Sequence, residues 1–222
     1  MPHRNRVTPY GGIVAMAERG TLMGNRGVLH ADDGEHRRDW QVRRWIACRL
    51  EFKGRRRPVR RPRRWTELFF LDEATALAAG HRPCAECRRE DYRRWQAAWP
   101  GPDTHADAMD RVMHADRLGP RRAARIADLP PGAMVEADGR AWLVTEDGVR
   151  PWSFAGYGAL SAQAGEATVL TPAVTVEAIR NGYAPAIHPT GSADSAGSAD
   201  SPDAPDSADL AGSAEVRPSE AT

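Results

Sequence analysis

Apolar and polar positions alternate through residues 45–52, and this period of two predicts a β-strand. In that strand Cys48 lies on the apolar side together with Ile46, Leu50 and Phe52. An arginine-rich segment follows, and residues 65–71 then predict a second strand. The first cysteine of the chain is therefore expected on a strand of a sheet.

A short helix is predicted directly after the second strand, over residues 73–79. Asp72 is suited to cap its first turn, and Gly80 is suited to end it, because each satisfies backbone groups left over at a helix terminus. A turn then leads to Cys84 and Cys87, whose Cys-x-x-Cys spacing can direct both sulfurs to one side of a tight turn. This pair is expected to form half of a tetrahedral metal site.

Two further helices are predicted beyond the cysteine pair, at residues 88–99 and from Asp103 to Leu118. The first has aromatic residues at intervals of three and four, which we expect to pack against a sheet, with base stacking as the alternative. The second carries Asp107, Asp110 and His114 on one face, and we expect that face to be solvated.

The remainder of the chain is rich in strand and turn signals. Residues 133–136 and 141–145 predict a hairpin, residues 149–158 extend it, and a helix ends near Gly182. Repeats of Ser, Ala and Asp from residue 190 onward predict a disordered acidic tail. The predicted fold class is α+β: a basic domain at 1–126 with hairpins, short helices and the zinc-knuckle-like cysteine pair, a small antiparallel β-rich region at 127–189, and the tail at 190–222.

Composition narrows the class of protein. No apolar run approaches the length of a membrane span, and residues 1–6 lack the apolar stretch of a signal peptide, so we expect no membrane partner and a cytoplasmic location. The three cysteines form an odd set. In a reducing compartment this favours metal ligation or free thiols over a disulfide framework.

Charge is distributed very unevenly along the chain. Residues 1–126 contain 27 Arg and Lys against 16 Asp and Glu, whereas residues 127–222 contain 4 against 14. Such a basic segment typically binds a phosphate backbone, so nucleic acid is the expected partner. Compositional bias, with the acidic tail neutralising the basic part through an intramolecular contact, is the alternative. The candidate phosphate-binding residues are Lys53, Arg55, Arg56, Arg57, Arg60, Arg61, Arg63, Arg64, Arg82 and Arg88.

The metal site is expected to be a zinc site. Cys48, Cys84 and Cys87 supply three thiolates, and His81, three residues before Cys84, is the nearest candidate for a fourth ligand in a Cys3His set. His30 and His36 are more distant candidates for that position. A cluster of free thiols without metal remains open as the alternative.

The same region resembles a known family. Its run Gly80-His81-Arg82-Pro83-Cys84-x-x-Cys87-Arg88, with Phe69-Phe70 before the helix and Ile46-Ala47-Cys48-Arg49 on the preceding strand, is similar to the amino-terminal metal-binding domain of Ada-type DNA repair proteins. The resemblance covers about forty of the 222 residues.

The resemblance implies that cysteines hold zinc, that the strand cysteine accepts a methyl group from a phosphotriester, and that the arginine-rich surround binds DNA. By position, Cys48 corresponds to that strand cysteine, and Cys84 and Cys87 to the knuckle pair. This chain has Phe52 where the family has its second strand cysteine, so one chain supplies only three of the four thiolates.

Two other functions fit particular residues. Glu51-Phe52-Lys53 at a strand end, with Asp39, Asp32 or Asp33 upstream, has the acid-x-Lys form of magnesium-dependent nucleases, in which the acids hold the metal and the lysine activates water. A structural metal or thiol fold whose basic face docks an acidic protein, without nucleic acid, is the third hypothesis.

Overall fold

The computed structural model describes residues 2–54, 61 and 63–191, and within them it confirms the α+β class. Two sheets account for the strands. The first sheet has the strand order β2-β1-β5-β3-β4-β6. Its strands are β1 (Arg4–Val7), β2 (Ile13–Ala15), β3 (Leu22–Asn25), β4 (Ile46–Arg49), β5 (Leu68–Phe70) and β6 (Arg82–Pro83). The pairs β1–β5 and β4–β6 are parallel, and the other pairs are antiparallel.

The second sheet is antiparallel throughout and has the order β11-β10-β9-β8-β12-β7. Its strands are β7 (Ala123–Arg125), β8 (Met134–Ala137), β9 (Arg140–Thr145), β10 (Gly148–Ser153), β11 (Gly156–Tyr157) and β12 (Glu166–Val169). The hairpin predicted from the sequence is the pair β8–β9. Asp138 and Gly139 at its turn both have positive φ, which is the conformation that a tight hairpin requires.

The helices are α1 (Glu73–Ala78), α2 (Arg89–Ala98), α3 (Ala106–Leu118) and α4 (Ala173–Arg180). The predicted caps of α1 are confirmed: Asp72 Oδ1 accepts the Thr75 N–H at 2.9 Å, and Gly80 has φ +83°. A side chain at Gly80 would also collide with Arg117, because an added Cβ would lie 2.7 Å from Arg117 Cδ. Glycine is therefore required there for conformation and for space.

Helix α1 lies between the two sheets. On one side Ala76 and Ala79, the residue that ends α1, pack with Val7, Leu68 and Phe70 of the first sheet. On the other side, Ala74 and Ala78 pack in a cluster that includes Met134 and Leu143 of the second sheet. The described parts of segments 1–126 and 127–189 therefore share apolar packing around this helix.

The aromatic stripe of α2 packs differently from the prediction. Tyr92, Trp95 and Trp99 join Met109 and Met113 of α3 and residues from α4 onward in a buried cluster, rather than packing on a sheet. Because Trp95 is fully buried, base stacking on this stripe is excluded. The helices α2, α3 and α4 thus form their own core beside the sheets.

No helix in the described ranges has both the length and the apolar character that a membrane crossing requires.

Candidate metal centre

The register of one parallel strand pair brings Cys48 next to Cys84. Strand β4 pairs with β6 so that Ala47 lies opposite Pro83, and Cys48 and Cys84 are the next residue on each chain segment. The Cys84 N–H donates to the Ala47 carbonyl at 3.0 Å, which extends this pairing to the cysteine itself. Backbone hydrogen bonds therefore hold together two cysteines that are 36 positions apart in the sequence.

Cys87 completes the group from the turn that precedes α2. Its Sγ accepts the Arg49 N–H at 3.4 Å, which ties the turn to the end of β4. The three Sγ atoms of Cys48, Cys84 and Cys87 lie within 4.8 Å of one another. No other group of three or more His, Cys, Asp or Glu side chains in residues 2–54, 61 and 63–191 brings ligand atoms this close.

The three thiols differ in the direction in which their pKa values are shifted. Hydrogen bonds with Cys84 and Cys87, aided by burial, raise the pKa of Cys48. Hydrogen bonds from Cys48 and Cys87 outweigh burial and lower the pKa of Cys84, and the backbone N–H groups of Cys87 and Glu86 act in the same direction. The contact with Cys48 lowers the pKa of Cys87, but Cys84 and burial outweigh it and raise that pKa. The lowered pKa favours Cys84 as the first of the three to ionise, and a nearby cation would favour the charged form of all three sulfurs.

A groove with a volume of about 490 Å³ opens beside the sulfurs. All three cysteines line it, and so does Phe52. We call this the cysteine groove. Its remaining lining residues are Met23, Asn25, Ile46, Arg49, Leu50, Trp65, Glu67, Phe69 and Glu86.

The face of β4 that carries Cys48 is the groove face, and the opposite face, with Trp45 and Ala47, packs into the interior. The alternation in the sequence grouped Ile46, Cys48, Leu50 and Phe52 correctly. It also contained a signal for the rest of the groove: Trp65, Glu67 and Phe69 alternate in the same way, and all three line it. The predictions from the sequence missed that signal.

His81 is not a ligand of this group. Its ring is completely buried, its Nε2 faces Arg26 Nε at 3.3 Å, and its edge packs on Phe70 with ring centroids 4.6 Å apart. The prediction of a Cys3His set with His81 is therefore wrong. The turn after α1 sends this side chain into the core, while the cysteines lie at the surface end of β4 and β6. His30 and His36 also lie outside the group, and they pair with each other in an isolated β-bridge.

Two of the predicted phosphate-binding arginines are buried. Arg82 makes a two-pronged ion pair with Asp110, with both nitrogen–oxygen distances at 2.8 Å. Arg88 pairs with Glu73 at 2.8 Å and with Asp91 at 2.8 Å. The prediction is wrong for both residues, because carboxylates bind both guanidinium groups and neither side chain is accessible to a phosphate. Asp110 is correspondingly buried, so the expectation of a solvated face on α3 is wrong for Asp110, whereas Asp107 on that face is exposed.

The other basic candidates divide into two sets. Lys53, Arg61, Arg63 and Arg64 are exposed, and Arg63 lies 3.5 Å from Asp32 in an exposed ion pair. Lys53 lies over the Phe52 ring, 5.2 Å from its centroid, which brings a cation to the edge of the cysteine groove. The predictions for Arg55, Arg56, Arg57 and Arg60 lie outside the described residues, as does most of the acidic tail.

The residues of the nuclease hypothesis are not assembled into a metal site. Asp39 accepts a hydrogen bond from His36 Nε2 at 3.1 Å, and it lines a cavity whose lining does not include Glu51. Glu51 and Lys53 are exposed beyond the end of β4, and neither Asp39 nor Glu51 belongs to a ligand group of three or more. Within the described ranges, therefore, only the cysteines offer a metal centre.

Comparisons of the chain with models of protein families, with curated proteins and with solved structures found no match.

Proposed function

We propose that this protein binds zinc through Cys48, Cys84 and Cys87 and presents that centre on a basic surface that binds nucleic acid. The observation that carries the proposal is the mutual approach of the three sulfurs to within 4.8 Å. Thiolates are the ligands that structural zinc sites use most, and a Cys-x-x-Cys turn with one distant cysteine is a frequent source of three of them. The resemblance to the Ada-type metal-binding domain supports the same choice of metal.

The fourth coordination position is proposed to be taken by water or a bound molecule from the cysteine groove. Zinc centres with three protein ligands characteristically keep such a position open. Phe52, the residue in the place of a fourth thiolate, lines this groove, and its ring cannot coordinate a metal. When bound, zinc would keep its thiolates deprotonated and polarise whatever occupies that position.

The nucleic-acid part of the proposal rests on charge next to the centre. Arg49 lines the cysteine groove, and Lys53 lies over Phe52 at its edge. Arg61, Arg63 and Arg64 add exposed guanidinium groups shortly before β5. A metal-bound trithiolate is anionic, so these cations would also balance its charge while they contact phosphates.

Metal content tests the zinc centre. We expect purified wild-type protein to contain close to one zinc per chain, and we expect Cys48→Ser, Cys84→Ser and Cys87→Ser each to lose it, as measured by mass spectrometry of the metal. Chelation of the metal should lower the urea midpoint of the wild type, because metal binding free energy contributes to folding.

Ala85→Ser is the matched control, because it adds the same hydroxyl at an exposed position between Cys84 and Cys87. It should keep its zinc. Wild-type protein that is purified without a chelator, takes up no zinc and is not stabilised by added zinc would contradict the proposed centre. Nucleic-acid binding is measured separately on the same preparations, so that the two parts of the proposal can fail independently.

A further inference from the structure

A second cavity, with a volume of about 120 Å³, lies away from the cysteine groove. The turn between β1 and β2 forms one wall with Gly11 and Gly12, and the end of α3 and the residues after it form another. The start of α4 closes a third side at Pro172 and Ala173. No residue of this lining is a zinc ligand or a member of the groove, so the cavity is independent of the proposed metal centre.

Arg26 lines this cavity and is almost completely buried, with 1% of its surface exposed. Its Nη1 donates to the Gly11 carbonyl at 2.8 Å, and its Nε faces His81 Nε2 at 3.3 Å. Both partners are neutral acceptors. Gly11 offers a backbone carbonyl, and burial, Arg26 and Arg117 hold the pKa of His81 well below its usual value. A buried guanidinium normally pairs with a carboxylate or phosphate, and in the part of the chain that the structure describes Arg26 has no such ion pair.

Arg117 is the second cation on the wall. It donates to the carbonyls of Gly80 and Arg43, which are also neutral. The Cζ atoms of Arg26 and Arg117 lie 4.0 Å and 4.1 Å from the ring centroid of Trp45. The two guanidinium groups are thus held against one indole, an arrangement that attracts each cation to the ring although the two cations repel each other.

Three lining residues have a buried donor nitrogen without a hydrogen-bond partner: Nη2 of Arg26, Nε of Arg117 and Nε1 of Trp40. Each unsatisfied buried donor costs free energy, so three of them around one cavity require an explanation. All three are N–H groups. The missing partner must therefore supply acceptor atoms, and the two adjacent guanidinium groups favour one that carries negative charge.

The lining has two carboxylates, and each attracts one of the buried arginines: Asp39 acts on Arg26, and Asp116 acts on Arg117. Asp116 Oδ2 accepts the Val174 N–H at 2.7 Å at the start of α4, and Asp39 is hydrogen-bonded to His36. The lining also contains four arginines, namely Arg26, Arg117, Arg121 and Arg122. The arginines of the lining therefore outnumber its carboxylates by four to two, which leaves an excess of positive charge.

We propose that this cavity binds a small oxyanion of the inorganic phosphate class, with Arg26, Arg117 and Trp40 as its donors. Its volume of about 120 Å³ is several times the minimum for a single water, and it is well below the volume of sites for drug-sized ligands. An ion with one central atom and four oxygens therefore suits the space and carries acceptor atoms of the kind that these donors lack.

Inorganic phosphate is the probe for the test, with full-length protein at constant ionic strength and with chloride as the balancing anion. We expect the nitrogen-15 NMR signals of the Trp40 indole N–H and the Arg117 Nε–H to shift on titration and to saturate. Thermal unfolding should move to higher temperature over the same phosphate range, because a ligand that binds only the folded state stabilises it.

Trp40→Phe removes one donor and no charge, and we expect it to weaken phosphate binding about tenfold, as for the loss of one hydrogen bond to a charged group. Trp142→Phe is the matched control. It makes the same chemical change in the second sheet, where the indole already donates to the Ala137 carbonyl at 3.0 Å, and it should leave phosphate affinity unchanged. If Trp40→Phe does not fold, Arg117→Lys provides the second variant, since it keeps the charge and loses the Nε donor.

The titration of the wild-type protein is sufficient to test whether the cavity binds phosphate. The proposal is overturned if neither phosphate nor sulfate shifts the Trp40 and Arg117 signals saturably. It is also overturned if chloride produces the same shifts at equal ionic strength, since that would indicate general screening of the basic surface.

Discussion

At the scale of single residues, the buried His81 is expected to make stability depend on pH in the acid range. Burial, and then the charges of Arg26 and Arg117, lower the pKa of His81 well below its ordinary value of 6.5. The unfolded chain therefore takes up a proton below about pH 6.5 that the native protein does not bind. Native stability should fall as the pH falls from 6.5 toward the lowered pKa, with a slope of up to about 1.4 kcal/mol per pH unit from this one group.

His81→Gln should reduce this loss. Glutamine can still accept from Arg26 Nε, but it does not titrate, so the urea midpoint of the variant should depend less on pH between 7 and 5 than that of the wild type. His114, whose pKa burial lowers to about 4, will contribute a remaining part of the slope. His105→Gln at an exposed position is the control, and it should retain the wild-type slope. Equal slopes for wild type and His81→Gln would show that the buried imidazole does not govern acid stability.

At the scale of secondary-structure elements, the buried pair of Arg82 and Asp110 joins strand β6 to helix α3. Both side chains are nearly inaccessible, with 2% and 5% exposed, and the pair is bidentate. Asp110→Asn would leave the Arg82 charge buried without a counterion, and breaking such pairs typically costs about 3–5 kcal/mol. We expect a loss of this size in the free energy of unfolding measured with urea.

Asp107→Asn on the same helix is the matched control. Its partner Arg44 lies 3.0 Å away, and both side chains are 60% exposed, so the change should cost no more than about 1 kcal/mol. Similar losses for the two variants would mean that the Arg82 pair is not the connection that positions β6. Because β6 presents Cys84, Asp110→Asn should also weaken zinc binding, whereas Asp107→Asn should not.

At the scale of the whole molecule, two adjacent carboxylates connect the described parts of the chain. Asp72 Oδ2 accepts the Tyr157 hydroxyl at 2.8 Å and the His188 N–H at 2.9 Å. Glu73 accepts the Tyr183 hydroxyl at 2.6 Å in addition to its pair with Arg88. The start of α1 therefore anchors residues from the second sheet and from the segment after α4, and it links that region to the turn that carries the cysteines.

The distribution of charge over the molecule yields a prediction for nucleic-acid binding. Replacing Arg61, Arg63 and Arg64 together with glutamine should weaken binding to a fluorescent oligonucleotide at low salt. The slope of log affinity against log salt should fall by about 0.7–0.9 for each phosphate contact that is lost. Fluorescence anisotropy at several salt concentrations measures both quantities.

A variant with Arg111, Arg125 and Arg140 replaced by glutamine removes the same charge from exposed positions elsewhere. It should have less effect on both the affinity and the slope. Equal effects of the two triple variants would indicate binding to net charge alone, and binding that does not respond to salt would contradict phosphate contact altogether.

The elements that the sequence predicted well depend on local physics. Helix α1 begins and ends within a residue of its prediction because Asp72 and Gly80 act on backbone groups close to them in the chain. The Cys-x-x-Cys pair likewise predicted its own geometry. In contrast, the burial of Arg82 could not be predicted, because its partner Asp110 is 28 residues away and both appear in the sequence as ordinary surface charges.

The sequence by itself therefore determined the α+β class, the caps of α1, the main hairpin and the set of three cysteines. Only the tertiary structure decided that Cys48 meets Cys84 through the β4–β6 register, that His81 turns into the core, and that Arg26 and Arg117 face a common cavity. The physical reason is that caps and turns act over a few residues, whereas burial and counterion choice depend on which distant segments pack together.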